Sequence, residues 1–311
     1  MSPELITSAQ NPKLKRLLAL QEKSRLRREE GVFVVEGRRE FEHCIAAGFV
    51  VDSVFICQEI YSGQDNPPSG VRPSGSPHHP FGTVPPLSNR GCYVPQGDYP
   101  AQRTCNSECS EGGPQQCRVF HLSKELYEKV AYRGSTEGII AEMKARTLGL
   151  EDLKLKDNPL IMVLEGVEKP GNLGAVLRSA DAAGADAVIV CDPLTDLYNP
   201  NLIRASIGAI FTVPTVACSS EEAIAFLKAR GIRILTAQLQ DSSVYYDADM
   251  TCGTAIVMGT ESTGLTPIWR KAADAHILIP MLGRLDSLNV SVSAAILLYE
   301  AVRQRQCGRC P

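Results

Sequence analysis

Little in this 311-residue sequence is in excess. Basic and acidic side chains nearly cancel, 32 against 35, for a formal net charge of −3. That excludes a polybasic chain whose whole surface follows phosphate. Hydrophobic residues make up 44%, which excludes a highly charged disordered chain. No run approaches the ~20 consecutive apolar residues needed to cross a bilayer. Residues 1–10 lack the basic start and apolar core of a secretory leader. The eleven cysteines are odd in number and scattered, a pattern that suits reduced thiols in the cytoplasm rather than a disulfide framework.

What is present is unevenly spread. The 57 residues from Ser62 to Arg118 hold ten of the twenty prolines, eight glycines and seven serines. This composition marks a flexible insert in an otherwise folded chain. It also carries His78, His79, Cys92, Cys105, Cys109 and Cys117. Only Cys105 and Cys109 approach the C-x₂₋₄-C spacing of a zinc site, and with no second pair no metal is expected. Cys307-Gly-Arg-Cys310 is a lone C-x-x-C on a tail, and His43, His121 and His276 read as structural.

Asn11-Pro12 has the signature of an N-cap and first helical residue, with Gly31 as a stop. Leu14, Leu17 and Leu18 recur at helical spacing between them. Within residues 11–28, Lys13, Lys15, Arg16, Lys23, Arg25, Arg27 and Arg28 oppose only Glu22. On charge alone this suits a solvated surface helix; a phosphate-contacting helix needs support from elsewhere. Strands are expected at Val32–Val35, Val51–Cys57, Val119–Leu122 and Gly138–Met143, with helices over Gly37–Ala47 and from Ser123 to Tyr132. That makes a small α/β unit over residues 1–147, interrupted by the insert, with a polar connection over 148–158.

From Pro159 onward strands are expected at Leu160–Leu164, Ala187–Cys191, Thr212–Ala217, Ile232–Ala237, Thr254–Met258 and Ala275–Ile279. Helices are expected over Asn172–Ala183, Ser219–Arg230 and Val290–Gln304. Continuous apolar strands alternating with helices predict a parallel sheet covered on both faces. In such sheets ligands bind beyond the carboxyl ends of the strands.

Three loops there combine glycine with polar side chains. In Glu165–Arg178 a strand passes through Gly171, Asn172 and Gly174 into a helix whose free N–H groups suit an anion. Its spacing is not the G-x-G-x-x-G dinucleotide fingerprint, and no acidic residue is placed to bind the ribose of NAD, which weighs against an oxidoreductase. Arg178 follows Asn172 by close to two helical turns. In Val257–Leu265 a strand ends at Gly259 with Glu261 two residues on. In Ile279–Ser293, Ser287, Asn289, Ser291 and Ser293 alternate with apolar residues; N-capping explains one of them, not four.

Together the segments N-L-G-A-V-L-R (172–178), M-G-T-E-S-T-G-L (258–265) and I-P-M-L-G-R-L-D-S-L-N-V-S-V-S (279–293) closely resemble the three motifs of the SpoU (TrmH-type) RNA ribose 2′-O-methyltransferases, in order and spacing, over about 159–306. Residues 6–40 resemble that family's small substrate-binding domain over a shorter and less specific stretch. The resemblance implies an α/β fold with a C-terminal trefoil knot over 159–311, a homodimer, and S-adenosylmethionine bound in bent form inside the knot. It places the cofactor against Gly259, Ile279 and Leu288, with Thr236 to Leu239 on a neighbouring loop. Arg178 matches the family's catalytic arginine, and Asn172, Glu261, Ser287 and Asn289 its other motif residues.

The ribose 2′-hydroxyl must lose a proton as it attacks the methyl carbon, in line with the sulfonium. A guanidinium stays protonated, so Arg178 is read as binding phosphate and stabilising the developing alkoxide, with proton removal unassigned. Lys13, Lys15, Arg16, Arg25, Arg27 and Arg28 become candidates for RNA contact. Ribosomal RNA is the expected substrate and transfer RNA the second. A catalytically inactive RNA-binding protein on the same scaffold is the rival reading, and uptake of S-adenosylmethionine separates the two.

Overall fold

A computed structural model describes residues 4–61, 117–132, 137–260, 263–285 and 287–307. Most of the Pro/Gly/Ser-rich insert with its histidines and three of its cysteines, and also Glu261 and Cys310, lie outside the described residues.

The first part of the chain contributes β1 (Glu4–Ile6), α1 (Pro12–Glu22), α2 (Ser24–Glu30), β2 (Val32–Glu36), α3 (Arg38–Ala46), β3 (Val51–Ile56), α4 (Gln58–Tyr61), β4 (Arg118–Leu122), α5 (Lys124–Val130) and β5 (Ile139–Lys144). Five strands form one mixed sheet in the order β1-β4-β3-β5-β2. The expected single helix over 12–30 is two. Lys23 takes an extended conformation (φ −103°, ψ 104°) between α1 and α2, which shifts the helical phase of everything after it. Asn11 caps α1 through Lys13 N, Pro12 stands at its first position, and Gly31 (φ 61°) ends α2 in the left-handed region.

The rest comprises β6 (Leu160–Glu165), α6 (Pro170–Ala182), β7 (Ala187–Cys191), α7 (Pro200–Ser206), α8 (Ala209–Thr212), β8 (Thr215–Cys218), α9 (Ser220–Ala229), β9 (Arg233–Ala237), β10 (Ser243–Val244), β11 (Thr254–Met258), α10 (Pro267–Ala272), β12 (Ala275–Leu278) and α11 (Val290–Cys307). These strands form a seven-stranded sheet in the order β10-β12-β9-β11-β6-β7-β8. Every pairing in it is parallel. β6, β7 and β11 are buried along their whole length, as expected for strands with helices on both faces.

Several elements differ from expectation, among them β8, α7 and α10. The β-branched run from Thr212 opens as the end of α8, and β8 starts only at Thr215. α7 and α10 arise where no helix was expected, each with proline at its first turn. Cys44, Cys57, Cys117, Cys191, Cys218 and Cys307 are free.

The two sheets are joined through one apolar cluster that runs from Phe33, Val35 and Met143 through Ile210 and Phe211 to Leu164 and Leu297. At the join, Phe33 stacks on Tyr198 (centroids 4.2 Å apart, 18° between planes) and Phe49 meets Phe211 edge-on at 5.3 Å. Arg27, 3% exposed, pairs with Asp196 at 2.7 Å across the join. A cleft of about 590 Å³ lies beside it, with Arg28, Arg146 and Lys154 among its lining residues.

Candidate active site

Parallel strand order decides which loops meet. β9 lies between β12 and β11, with Ala237 in register with both Ile277 and Met258. The carboxyl ends of these three strands are therefore adjacent, which brings Gln238, Gly259 and Ile279 to one edge. Gln238 N donates to Ile277 O at 3.0 Å, while its buried side-chain Oε1 has no hydrogen-bond partner. Buried acceptors are rarely left so, which points to a ligand donor there. Gly259 fits the same reading: a Cβ on it would stand 2.3 Å from the Gly264 carbonyl carbon and oxygen, so only glycine lets the loop after β11 fold back this tightly.

Two residues expected at this edge need separate accounts. Thr236 is not on a loop: it lies within β9, fully buried, with its hydroxyl 2.6 Å from His276 Nδ1. Its side chain is structural, leaving only main-chain groups for a ligand, and His276 gains a structural role with it. Leu239 does lie beyond the strand and is 64% exposed. Leu288 is 36% exposed, just before α11.

The first and third loops meet. Asn289 Nδ2 donates to Asn172 Oδ1 at 3.3 Å, and Asn289 Oδ1 accepts from Ser291 N at 3.0 Å and Ser291 Oγ at 2.6 Å. Asn289 thereby starts α11 while holding α6. α6 begins at Pro170, two residues earlier than expected, so Asn172 sits in its first turn. Arg178 then lies about 9 Å further along the axis and about 120° around it; the two residues flank one region rather than sharing one line. Arg178 is exposed, and no acidic side chain among the described residues pairs with it. Ser287 is exposed ahead of Leu288.

Arg204 has no counterpart among the expected residues. It is exposed on α7, with no acidic partner among the described residues. α7 packs on α6 at Gly174, whose Cβ position would be 2.6 Å from Ala205 Cβ and 2.8 Å from Ser206 N. Arg178 is one turn beyond Gly174, so a second unpaired cation stands on the helix beside it. The signal in the sequence was Asn199-Pro200, a helix start: Asn199 Oδ1 accepts from Asn201 N at 2.9 Å.

The six candidate RNA contacts do not behave alike. Arg27 is buried against Asp196 and also donates to Leu20 O and Gln21 O; its work is structural and its candidacy is withdrawn. Arg16 is engaged with Glu30 at 2.7 Å and with buried Glu142. Lys13 pairs with Glu4, and Arg25 with Glu29 at 2.6 Å. Lys15 and Arg28 are exposed and have no acidic partner among the described residues. The described residues contain no cluster of three or more His, Cys, Asp or Glu able to hold a metal ion, and no helix long and apolar enough to cross a membrane.

These features define an α/β protein with its ligand edge beyond the carboxyl ends of a parallel sheet. Residues 159–299 match the model of the SpoU rRNA Methylase family, and residues 11–73 that of an MRM3-like substrate binding domain. The chain is 38% identical over 194 residues to the 23S rRNA (guanosine-2′-O-)-methyltransferase RlmB of Photobacterium profundum, covering 60% of this chain and 79% of that protein. It is 38% identical over 190 residues to the enzyme of the same name from Vibrio vulnificus, covering 59% and 77%. A crystal structure of an RNA 2′-O ribose methyltransferase superposes with a TM-score of 0.71 at 32% identity, over 97% of this chain and 99% of that one. The chain belongs to the SpoU rRNA methylase family.

Proposed function

We infer that this chain is an S-adenosylmethionine-dependent RNA methyltransferase that acts on a ribose 2′-hydroxyl of ribosomal RNA. The observation that carries the reading is the clasp between Asn172 and Asn289, which joins the first and third motifs beside Arg178, in a chain 38% identical to proteins named 23S rRNA (guanosine-2′-O-)-methyltransferase. The relatives' name makes a guanosine in the large-subunit RNA the first nucleotide to examine.

S-adenosylmethionine, when bound, supplies an electrophilic methyl group on a sulfonium. The residues present suit it: Gln238 offers an unpartnered acceptor, Gly259 and Ile279 offer main-chain groups at the same edge, and Leu288 is assigned a third main-chain contact. Arg178 binds the phosphate next to the target ribose and stabilises the alkoxide that forms as the 2′-hydroxyl loses its proton. Arg204 supplies a second phosphate contact. Asn172 and Asn289 fix the helices that carry these groups; Ser287 and Glu261 complete the motif set, with Glu261 outside the described residues.

Residues 1–147 serve as the substrate-binding domain, 148–158 as the linker and 159–311 as the methyltransferase domain with the family's knot. Of the six candidate RNA contacts, Lys15 and Arg28 are the two with no acidic partner among the described residues, and Arg28 opens onto the cleft shared with Arg146 and Lys154. The active form is a homodimer. Leu282, Leu285, Leu288, Val292 and Tyr299 are exposed along the third motif and one stripe of α11, an apolar surface that a second copy would cover. The reaction belongs where ribosomal RNA is, in the cytoplasm.

The test is methyl transfer to deproteinised ribosomal RNA from a strain lacking the protein, comparing wild type with Arg178→Ala, followed by mapping of the ribose methylation. Equal rates would remove Arg178 from the mechanism. No transfer and no S-adenosylmethionine uptake by wild type would favour an inactive RNA-binding protein.

A further inference from the structure

One buried carboxylate is used by none of the residues assigned above. Glu165 ends β6, is 5% exposed, and pairs with no cation among the described residues. A carboxylate so placed is costly unless donors surround it. Thr266 supplies two: its N donates to Oε2 at 2.8 Å and its Oγ1 to Oε1 at 2.6 Å. Thr266 stands at the N-cap of α10, yet its side chain makes no cap hydrogen bond there. The hydroxyl that ordinarily satisfies a helix's own N–H groups is given to Glu165 instead.

Thr266 closes the loop that starts at Gly259. The loop's other end passes the same corner: a Cβ on Gly166, the residue after Glu165, would stand 3.0 Å from Thr260 Cγ2. Between these ends Gly264 N donates to Thr260 O at 3.1 Å and Thr263 N to Thr260 Oγ1 at 3.0 Å. Behind Glu165, Ser220 Oγ lies 3.3 Å from Oε1, donates to Asp192 Oδ2 at 2.6 Å and accepts from buried Trp269 Nε1 at 3.0 Å. The corner is thus backed by α9 and α10 and cannot drift independently of them.

We propose that Glu165 is a positioning residue that sets where the described ends of the loop after β11, Gly259–Thr260 and Thr263–Leu265, return to the sheet and, through them, the affinity for S-adenosylmethionine. This rests on the cofactor reading given above. Glu165 acts through Thr266, by holding both of its donors and so the far end of a loop whose near end passes beside Gly166.

The full-length chain is titrated calorimetrically with S-adenosylmethionine, well below the melting temperature, as wild type, Glu165→Gln, Thr266→Val and Thr266→Ser. Steady-state methyl transfer to deproteinised ribosomal RNA is measured in parallel. Glu165→Gln keeps the shape but turns an amide NH₂ towards one Thr266 donor. Thr266→Val keeps the shape and removes only the hydroxyl. The expected result is a Kd and KM for S-adenosylmethionine raised about tenfold in Glu165→Gln, raised less in Thr266→Val, and restored in Thr266→Ser, with KM for RNA unchanged. If Glu165→Gln and Thr266→Val bind S-adenosylmethionine as wild type does, the positioning role is wrong and the methyltransferase reading stands. Wild type that takes up no S-adenosylmethionine overturns the cofactor reading, and this proposal with it.

Discussion

Asn289 donates its side-chain amide to Asn172 across 117 residues of sequence, at 3.3 Å, and with its other atom caps the helix that follows. One side chain therefore both starts α11 and holds it to α6. Replacing Asn289 by alanine removes cap and clasp together, whereas Asn172→Ala removes the clasp and leaves the cap. The cap is worth about 1 kcal/mol. The double variant is expected to be less destabilised than the two singles added, by about 1 kcal/mol of coupling. Urea unfolding of the four proteins measures this, and additive effects would show that the contact carries no energy.

Arg178→Ala is expected to slow methyl transfer by about 10²–10³-fold, the range for loss of a group that stabilises developing charge. Its calorimetric affinity for S-adenosylmethionine should match wild type. Arg204→Ala should instead weaken RNA binding and lower the slope of log affinity against log salt by about 1. A fall in cofactor affinity for either variant would place that arginine at the cofactor rather than at the RNA.

Gly259→Ala tests space rather than backbone freedom. The new methyl would sit 2.3 Å from main-chain atoms of Gly264 and 2.5 Å from Leu265 N, and backbone there cannot yield as the tip of a side chain would. Loss of S-adenosylmethionine binding is expected in a protein whose far-ultraviolet circular dichroism is unchanged. Retained binding would mean that the loop's tight return is not required.

The central strands were legible because burial on both faces forces continuous apolar runs, L-I-M-V-L in β6 and T-A-I-V-M in β11, which no surface element shares. The short helices were not. α7 and α10 are seven and six residues long, too short for periodicity, and only Asn199-Pro200 and Thr266-Pro267 announced them. The motif residues could be named from resemblance, but not the contact between Asn172 and Asn289, because nothing local specifies a partner so distant in sequence. The apolar pattern already puts Thr236 in the strand expected at Ile232–Ala237, and only the resemblance implies a loop there; its bond to His276 on the neighbouring strand satisfies the hydroxyl inside the sheet. Arg27 departs from the basic face for a different reason. Helical phase carried from Leu14 puts it with the basic face, but the extended Lys23 resets that phase and turns Arg27 inward to Asp196.

That correction separates two kinds of cation. Arg27→Ala leaves Asp196 without its partner at the join between the sheets, and breaking a buried pair costs about 3–5 kcal/mol. The expected result is a lower melting temperature with salt dependence of RNA binding unchanged. Lys15→Ala and Arg28→Ala should leave melting alone and weaken RNA binding, each lowering the salt slope by about 1. Melting scans and RNA titrations at several salt concentrations distinguish these outcomes. Weaker RNA binding by Arg27→Ala at full stability would restore its candidacy.

Glu142 gives the fold a pH dependence of defined sign. It is 2% exposed on β5, accepts from Ser53 Oγ at 2.7 Å and pairs through the same oxygen with Arg16. Its Oε1 is buried with no hydrogen-bond partner. Burial pushes its carboxyl above the usual carboxylate range; Ser53 and Arg16 oppose this, while nearby Asp52 adds to it. The folded protein therefore holds a proton that the unfolded chain releases near pH ~4.3. Stability from this group is fully present below that pH and is lost as pH rises through the higher folded value, because the folded state is the one binding more protons. Glu142→Gln cannot titrate. Urea unfolding from pH 4 upward should show this falling component in wild type and its absence in Glu142→Gln, and identical slopes in the two proteins would show that the buried carboxyl is not the source.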